Sequence, residues 1–160
     1  MNNQKYHFFW NGPLSNWYQS SFTHIGINFN CAEQAMMYCK AMFFADTETA
    51  DKILNQTLPR IQKALGREVK NYKDSTWSSN RKKVVKDILR SKYEQCTFLM
   101  EYLLNTEGEI VEASYEDCIW GIGLAENDPR IHDKNLWEGT NLLGVILTEL
   151  REEFKELQSN

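Results

Sequence analysis

No apolar run in this chain approaches the roughly 20 residues that cross a bilayer, and the opening "MNNQKYHFFWNGP" lacks the charged and then apolar layout of a signal peptide. A soluble, cytoplasmic protein without a membrane partner is expected. The four cysteines, Cys31, Cys39, Cys96 and Cys118, form no C-x-x-C pair, and His7, His24 and His132 are scattered. Neither zinc ligation nor a disulfide frame is signalled, so we expect reduced cysteines, mostly in the core, and no metal site. Positive charge is not in excess either. Lysine and arginine number 18 against 22 acidic residues, a net charge of -4, which argues against stable binding along a nucleic-acid backbone. The basic run "RKKVVK", Arg81 to Lys86, reads as a solvated helix face. Internal repeats, low-complexity tracts and linker-like segments are also missing. A chain of 160 residues, 42% hydrophobic, then has enough apolar surface for one substantial core and a single domain over 1–160.

What is present is mostly helical periodicity. Asp46 or Thr47 is placed to cap a short helix running through Ile53 and Leu54, and Pro59 suits the first turn of another that Gly66 closes. After Ser75, apolar residues recur at Val84, Ile88, Tyr93, Phe98, Leu99 and Leu103, with one break expected near Ser91 to Glu94, giving two helices or one bent helix. Thr140 or Asn141 can cap a C-terminal amphipathic helix over "LLGVILTELREEFKEL". Short extended pieces are expected at "YHFFW", "GINF" and "EIVEA". The fold class is mainly α: a compact multihelical single domain with a few short β-strands.

Residues 30–44, "NCAEQAMMYCKAMFF", place two charges in a stretch otherwise rich in methionine, alanine, cysteine and phenylalanine. On a helix Lys40 lies about 20° around the axis from Glu33 and roughly 10 Å along it. Met36, Met37, Phe43 and Phe44 fall within about 80° of Glu33, whereas Gln34 and Tyr38 point the other way. Both charges are therefore expected inside, or lining a pocket. Burying an unpaired charge costs several kcal/mol, so two retained charges need partners or a use. A structural ion pair and snorkelling at the edge of a core stripe both fit the pattern; so does a chemical role.

The stretch 114–144 combines acidic residues, Trp120 and Trp137, and closely spaced glycines with little periodicity. Long loops in compact domains are mostly functional or disordered, and this one is too aromatic for simple disorder. Gly121 and Gly123 would let the backbone approach a ligand while Trp120 stacks on a planar base. Gap filling beneath the loop by the two indoles is an equal alternative.

Several motifs together resemble one family. "GPLSNWYQSSF", "AEQAMMYCKAMFFAD", "KALGREV", Trp77 with Arg81, "EASYEDCIWGIGL" and "GTNLLGVILTELRE" occur in the order and approximate spacing of the NADAR, or YbiA-like, family, and the resemblance covers nearly the whole chain. It implies a helical N-glycosidase acting on ribosylated bases without a cofactor. Two substrate groups are implied: phosphoribosyl-amino-pyrimidine intermediates of riboflavin synthesis, and ADP-ribose on guanine bases of nucleic acid. The partner would thus be a small-molecule or nucleic-acid-linked ribosyl substrate. By motif match Glu33 stands at the acidic catalytic position and Lys40 at the lysine of a Schiff-base intermediate. Asp117, Trp77 and Trp120 fall on further site positions, with Gly121 beside Trp120. Asn16 matches a polar residue near the pocket, and Arg67 and Arg81 match positions for phosphate contact or structure. A non-catalytic module that binds ADP-ribose or a nucleotide is the alternative.

Overall fold

The computed structural model describes residues 5–160. Residues 1–4, part of the N-terminal stretch read above as no leader, lie outside the described residues. The described chain is mainly helical with few short strands, as expected, and its contacts divide it into two compact units. One comprises Asn16–Thr97; the other joins the chain up to Ser15 with Phe98–Asn160.

The unit Asn16–Thr97 holds a small antiparallel pair, β2 (Phe22–His24) against β3 (Ile27–Phe29), in register Phe22 to Phe29. Four helices follow, α1 (Ala32–Phe43), α2 (Thr47–Leu54), α3 (Pro59–Gly66) and α4 (Asp74–Glu94). α1 is the hub, packing on α2, α3 and α4. Its burial is wider than one stripe: Gln34, Tyr38 and Ala41 are buried along with Glu33, Met36 and Met37. Three neighbouring helices surround α1, so the wheel's second side is covered too. Gln34 is satisfied there, its Nε2 donating to the carbonyls of Ile53 at 3.2 Å and Gln56 at 3.1 Å. Its Oε1 accepts from the Asn30 N–H at 2.8 Å.

α1 ends at Phe43, and Ala45, with a left-handed φ of 57°, turns the chain away from the helix. Asp46 then caps α2 as expected, one oxygen accepting from the Thr49 N–H at 3.1 Å. Its other oxygen accepts from the Lys70 N–H at 2.9 Å, tying the connection between α3 and α4 to the same point. That arrangement of backbone donors holds the Asp46 carboxyl down at about 2. α4 shifts the expected break. It runs through Ser91–Glu94, because Lys92 and Tyr93 continue the buried face of Ile88 and Leu89, and the break into two helices comes just after, at Gln95 and Cys96. The helix stops at Gln95, whose side-chain amide accepts from the Thr23 N–H at 2.8 Å and donates to the Thr23 carbonyl at 2.6 Å, closing the edge of β2 like one more strand residue.

The other unit pairs β1 (Tyr6–Phe9) in parallel with β4 (Glu109–Glu112), and adds α5 (Thr97–Leu104) and α6 (Leu142–Ser159). Tyr6, Val111, Ile122, Leu124 and Ile131 form its core, with Phe8 and Trp137 against it. α6 lies on β4, where Gly144 leaves no room for a side chain against the Ile110 carbonyl and the Asn141 amide. Asn141 is the residue before α6 but does not cap it. Its backbone is left-handed, φ 53°, and its side chain bridges to β4, accepting from the Glu112 N–H at 3.0 Å and donating to the Ile110 carbonyl at 2.9 Å. The cysteines are less buried than expected: only Cys31 is buried, Cys39 and Cys96 are half-buried, and Cys118 is exposed. Among the described residues no helix is long and apolar enough to cross a membrane.

Candidate active site

The two charges that stood out in the sequence occupy opposite ends of α1. Glu33 lies in the first turn and Lys40 in the last, where the unpaired N–H and C=O groups of the helix favour a carboxylate and an ammonium respectively. Glu33 is 3% exposed. Its backbone N–H donates to the Asn16 carbonyl at 2.9 Å, which fixes Asn16 beside the start of the helix. Cys31, the residue before α1, makes no side-chain cap; its thiol donates instead to Gln62 Oε1 at 3.2 Å. Burial pushes that thiol up to about 11, so it stays neutral.

Lys40 is half-buried. Its Nζ donates to the Gly66 carbonyl at 2.8 Å, at the end of α3, and lies 4.7 Å from the centroid of the Tyr72 ring. Burial holds the Lys40 amine below the usual lysine range, the Glu33 charge pushes it back up, and the Arg67 guanidinium lowers it. The wall around Lys40 is aromatic. Phe44 packs on Tyr72 with centroids 5.3 Å apart and on Trp77 at 6.5 Å, and Phe43 meets Trp77 at 5.9 Å. Trp77 is buried and serves as the back of that wall.

Two polar atoms in this unit are buried without a hydrogen-bond partner among the described residues: Asn16 Oδ1, an acceptor, and Arg81 Nε, a donor. Such orphaned groups cost on the order of 1–3 kcal/mol each and so mark places where a ligand hydroxyl or an anionic oxygen would be accepted. Arg67 is exposed at the end of α3. The sequence reading thus has Glu33, Lys40, Asn16, Trp77, Arg67 and Arg81 in one unit, on or beside α1, α3 and α4.

Asp117, Trp120 and Gly121 belong to the other unit. Asp117 Oδ1 accepts the N–H groups of Ile119 at 2.8 Å and Trp120 at 2.7 Å, so that oxygen caps the loop. Trp120 is half-buried. Gly121 is required by the loop's own packing: a Cβ there would meet the carbonyl oxygens of Asp117 and Glu112 at 3.0 Å each. Trp137 fills a gap, one of the two alternatives, its ring tilted against Tyr6 with centroids 5.3 Å apart and its indole N–H donating to the Ile131 carbonyl at 2.8 Å.

Sequence reasoning missed Tyr72 and Lys92. Tyr72 sits in a polar connection with no period to mark it. Lys92 is fully buried, with its amine pushed down to about 8 by burial. Its signal was legible in the spacing, since it follows Ile88 and Leu89 by four and three positions on the same helix face. Among the described residues no group of three His, Cys, Asp or Glu could hold a metal ion.

The chain is 39% identical over 140 residues to protein irg-1 of Caenorhabditis elegans, covering 84% of this chain and 66% of that protein. It is 41% identical over 123 residues to an N-glycosidase of Acanthamoeba polyphaga mimivirus, covering 76% and 72%. A riboflavin biosynthesis protein of Vibrio vulnificus is 32% identical over 146 residues, 91% of this chain but 36% of that longer protein. The chain therefore spans about two thirds of the length of the worm relative. The solution structure of YbiA from Escherichia coli superposes with a TM-score of 0.81 at 23% identity, over 100% of this chain and 90% of YbiA, which fixes the fold. The profile of the NADAR domain matches residues 7–155, running through both units, and with relatives this similar the chain belongs to the NADAR family.

Proposed function

We propose that this protein is an N-glycosidase that cleaves the bond between ribose and a base or amine, with Lys40 as the nucleophile and Glu33 as the general acid and base. The observation that carries this reading is the placement of a buried carboxyl and a partly desolvated lysine on one helix, with an aromatic wall around the amine. A ribosylated base has its anomeric carbon at the aldehyde oxidation level. Protonation of the ring oxygen opens the sugar to an imine-like species; the neutral Lys40 amine adds to that carbon, and the base leaves with its bonding pair and a proton. The sugar is left as a Schiff base on Lys40, which water hydrolyses to free the amine. Glu33 moves the protons among ring oxygen, amine and water.

The mimivirus relative is named as an N-glycosidase, which supports cleavage of an N-glycosidic bond, and the Vibrio relative as a riboflavin biosynthesis protein, which supports the riboflavin-related group. ADP-ribose on guanine and phosphoribosyl-amino-pyrimidines share the ribose whose hydroxyls suit the orphaned Asn16 acceptor. Both also carry phosphate, for which Arg81 Nε supplies a waiting donor. One domain over 1–160, free in the cytoplasm and without a cofactor, is the form in which we propose the enzyme works.

A route with two carboxylates and no amine needs a second acid, and Asp117 is the one the family motif offers. Adding borohydride during turnover separates the routes. Reduction should fix the sugar to Lys40 as a secondary amine located by mass spectrometry, and Lys40→Arg should lose both adduct and most turnover, because guanidinium keeps its proton at neutral pH. An arginine variant that stays active, with no adduct in the parent, would overturn the amine mechanism. No base released from either substrate group, with binding intact, would leave a reader module.

A further inference from the structure

The ring that meets the Lys40 ammonium belongs to a residue that no helical period and no motif marks. Tyr72 sits in the short connection between α3 and α4, and its position is fixed from several sides. Its hydroxyl donates to Asp74 Oδ1 at 2.9 Å, at the start of α4. Its ring packs edge to face on Phe44, centroids 5.3 Å apart at 65°. Asn71 before it takes a left-handed φ of 63°, which turns the connection, and the Asp46 carboxylate holds the Lys70 N–H at 2.9 Å just upstream. Even so, Tyr72 is 39% exposed, so nothing packs it in completely. The Lys40 Nζ sits 4.7 Å from the ring centroid, inside the range of about 6 Å in which the ring quadrupole attracts a cation, while its N–H donates to the Gly66 carbonyl.

We propose that Tyr72 is a positioning residue for Lys40: its ring caps the ammonium in the substrate-free protein, favouring the protonated lysine against the Gly66 carbonyl, and raises the free-amine fraction when substrate displaces the ring. The inference rests on the reading of Lys40 as the amine nucleophile. Around the amine, burial and Arg67 at the end of α3 disfavour the charged form, while Glu33 on its own helix favours it. The ring and the Gly66 carbonyl add to the favouring side, and of the groups that favour the charge only the ring is on a side chain open enough to move, Glu33 being buried and the carbonyl part of the backbone. Asp74 holds the ring by its hydroxyl, and Arg81 on α4 acts on that phenol rather than on the amine. Displacing the ring removes the attraction for the cation while the half-buried amine keeps its access to solvent. An N–H bond of the ammonium then breaks, the proton passes to solvent, and the lone pair is free to attack.

The test reads Lys40 with no substrate present. The folded protein is methylated with formaldehyde and cyanoborohydride across a pH series, and the modification at Lys40 is quantified by mass spectrometry, with the exposed lysines as internal controls. Below the midpoint the rate follows the free-amine fraction, and the plateau at high pH reports access alone. Tyr72→Leu keeps apolar bulk but has no quadrupole, so at neutral pH the plateau-normalised Lys40 rate should rise about two- to fivefold and the midpoint move to lower pH. Tyr72→Phe keeps the ring and should stay close to the parent. A leucine profile that superposes on the parent once plateaus are matched would overturn the cap, as would a phenylalanine profile displaced as far as the leucine one. Tyr72→Met gives the same comparison if the leucine variant melts below the assay temperature. Because the assay needs no turnover, a confirmed cap without a trapped adduct fails the glycosidase reading alone, and a trapped adduct with an unchanged profile fails the cap alone.

Discussion

Gly66→Ala tests whether the contact between α3 and α1 is what sets the place of Lys40's carbonyl partner. A methyl group at Gly66 would overlap the Met37 sulfur and stand 2.9 Å from Met37 Cγ and 3.3 Å from its Cβ. Met37 is buried, so the thioether can swing only into space that other side chains already occupy. Overpacking of this kind costs about 1–3 kcal/mol. Alanine recovers up to about 1 kcal/mol through its better helix propensity, and the position needs no left-handed backbone. The net expectation is a loss of about 1–2 kcal/mol, which for a chain of this size lowers the Tm by about 3–6 °C. Thermal unfolding followed by circular dichroism measures it. Met37→Ala alone should also destabilise, by leaving a cavity. In the double variant the new methyl enters that cavity, so the two losses should sum to more than the measured one by about 1 kcal/mol. If Gly66→Ala melts at or above the parent, or the double variant shows simple additivity, the close approach at Gly66 does not constrain the helices.

Glu33→Gln keeps the size of the buried side chain but removes the acid, so turnover should fall on the order of 10²-fold with an unchanged melting curve. A variant that mainly loses stability would assign Glu33 to a structural ion pair. Lys92 offers a pH test. Its folded amine titrates at about 8 against an ordinary value of 10.5, so between those values the unfolded chain binds a proton that the folded chain lacks. Parent stability should therefore rise with pH through that window, with the burial penalty complete below it and absent above it. Lys92→Met carries no such proton, and its stability relative to the parent should decline from pH 7.5 to pH 10 in urea titrations. A constant difference between the two proteins would show that the buried amine titrates normally.

Much of the local structure was readable because it depends on near neighbours. Asp46 as a cap and Pro59 at the start of α3 are choices of backbone chemistry that hold whatever the rest of the chain does, whereas Gly66, at the end of α3, is demanded by Met37 of α1. The helical spacing that put Glu33 and Lys40 on one face of α1 is equally local. Where partners distant in sequence compete, the local rules gave way. Asn141 was offered as a cap but its amide is taken by β4, and Gln95 leaves α4 to close the edge of β2.

By itself the sequence determined the helical class, the position of the charged pair on one helix, and the family, since motifs in register survive without reference to contacts. Only the tertiary structure decided how those charges behave. Period alone places Lys40 on a face; the Gly66 carbonyl, the Tyr72 ring and the Arg67 charge reach it from residues 26 to 32 positions away, brought there by the turn after α3 and the Asp46 tether. Burial, which lowers the amine, is likewise a property of three helices packed around α1 rather than of any segment. Desolvation and charge act through space over a few ångströms, and spatial neighbours are what a one-dimensional pattern leaves open.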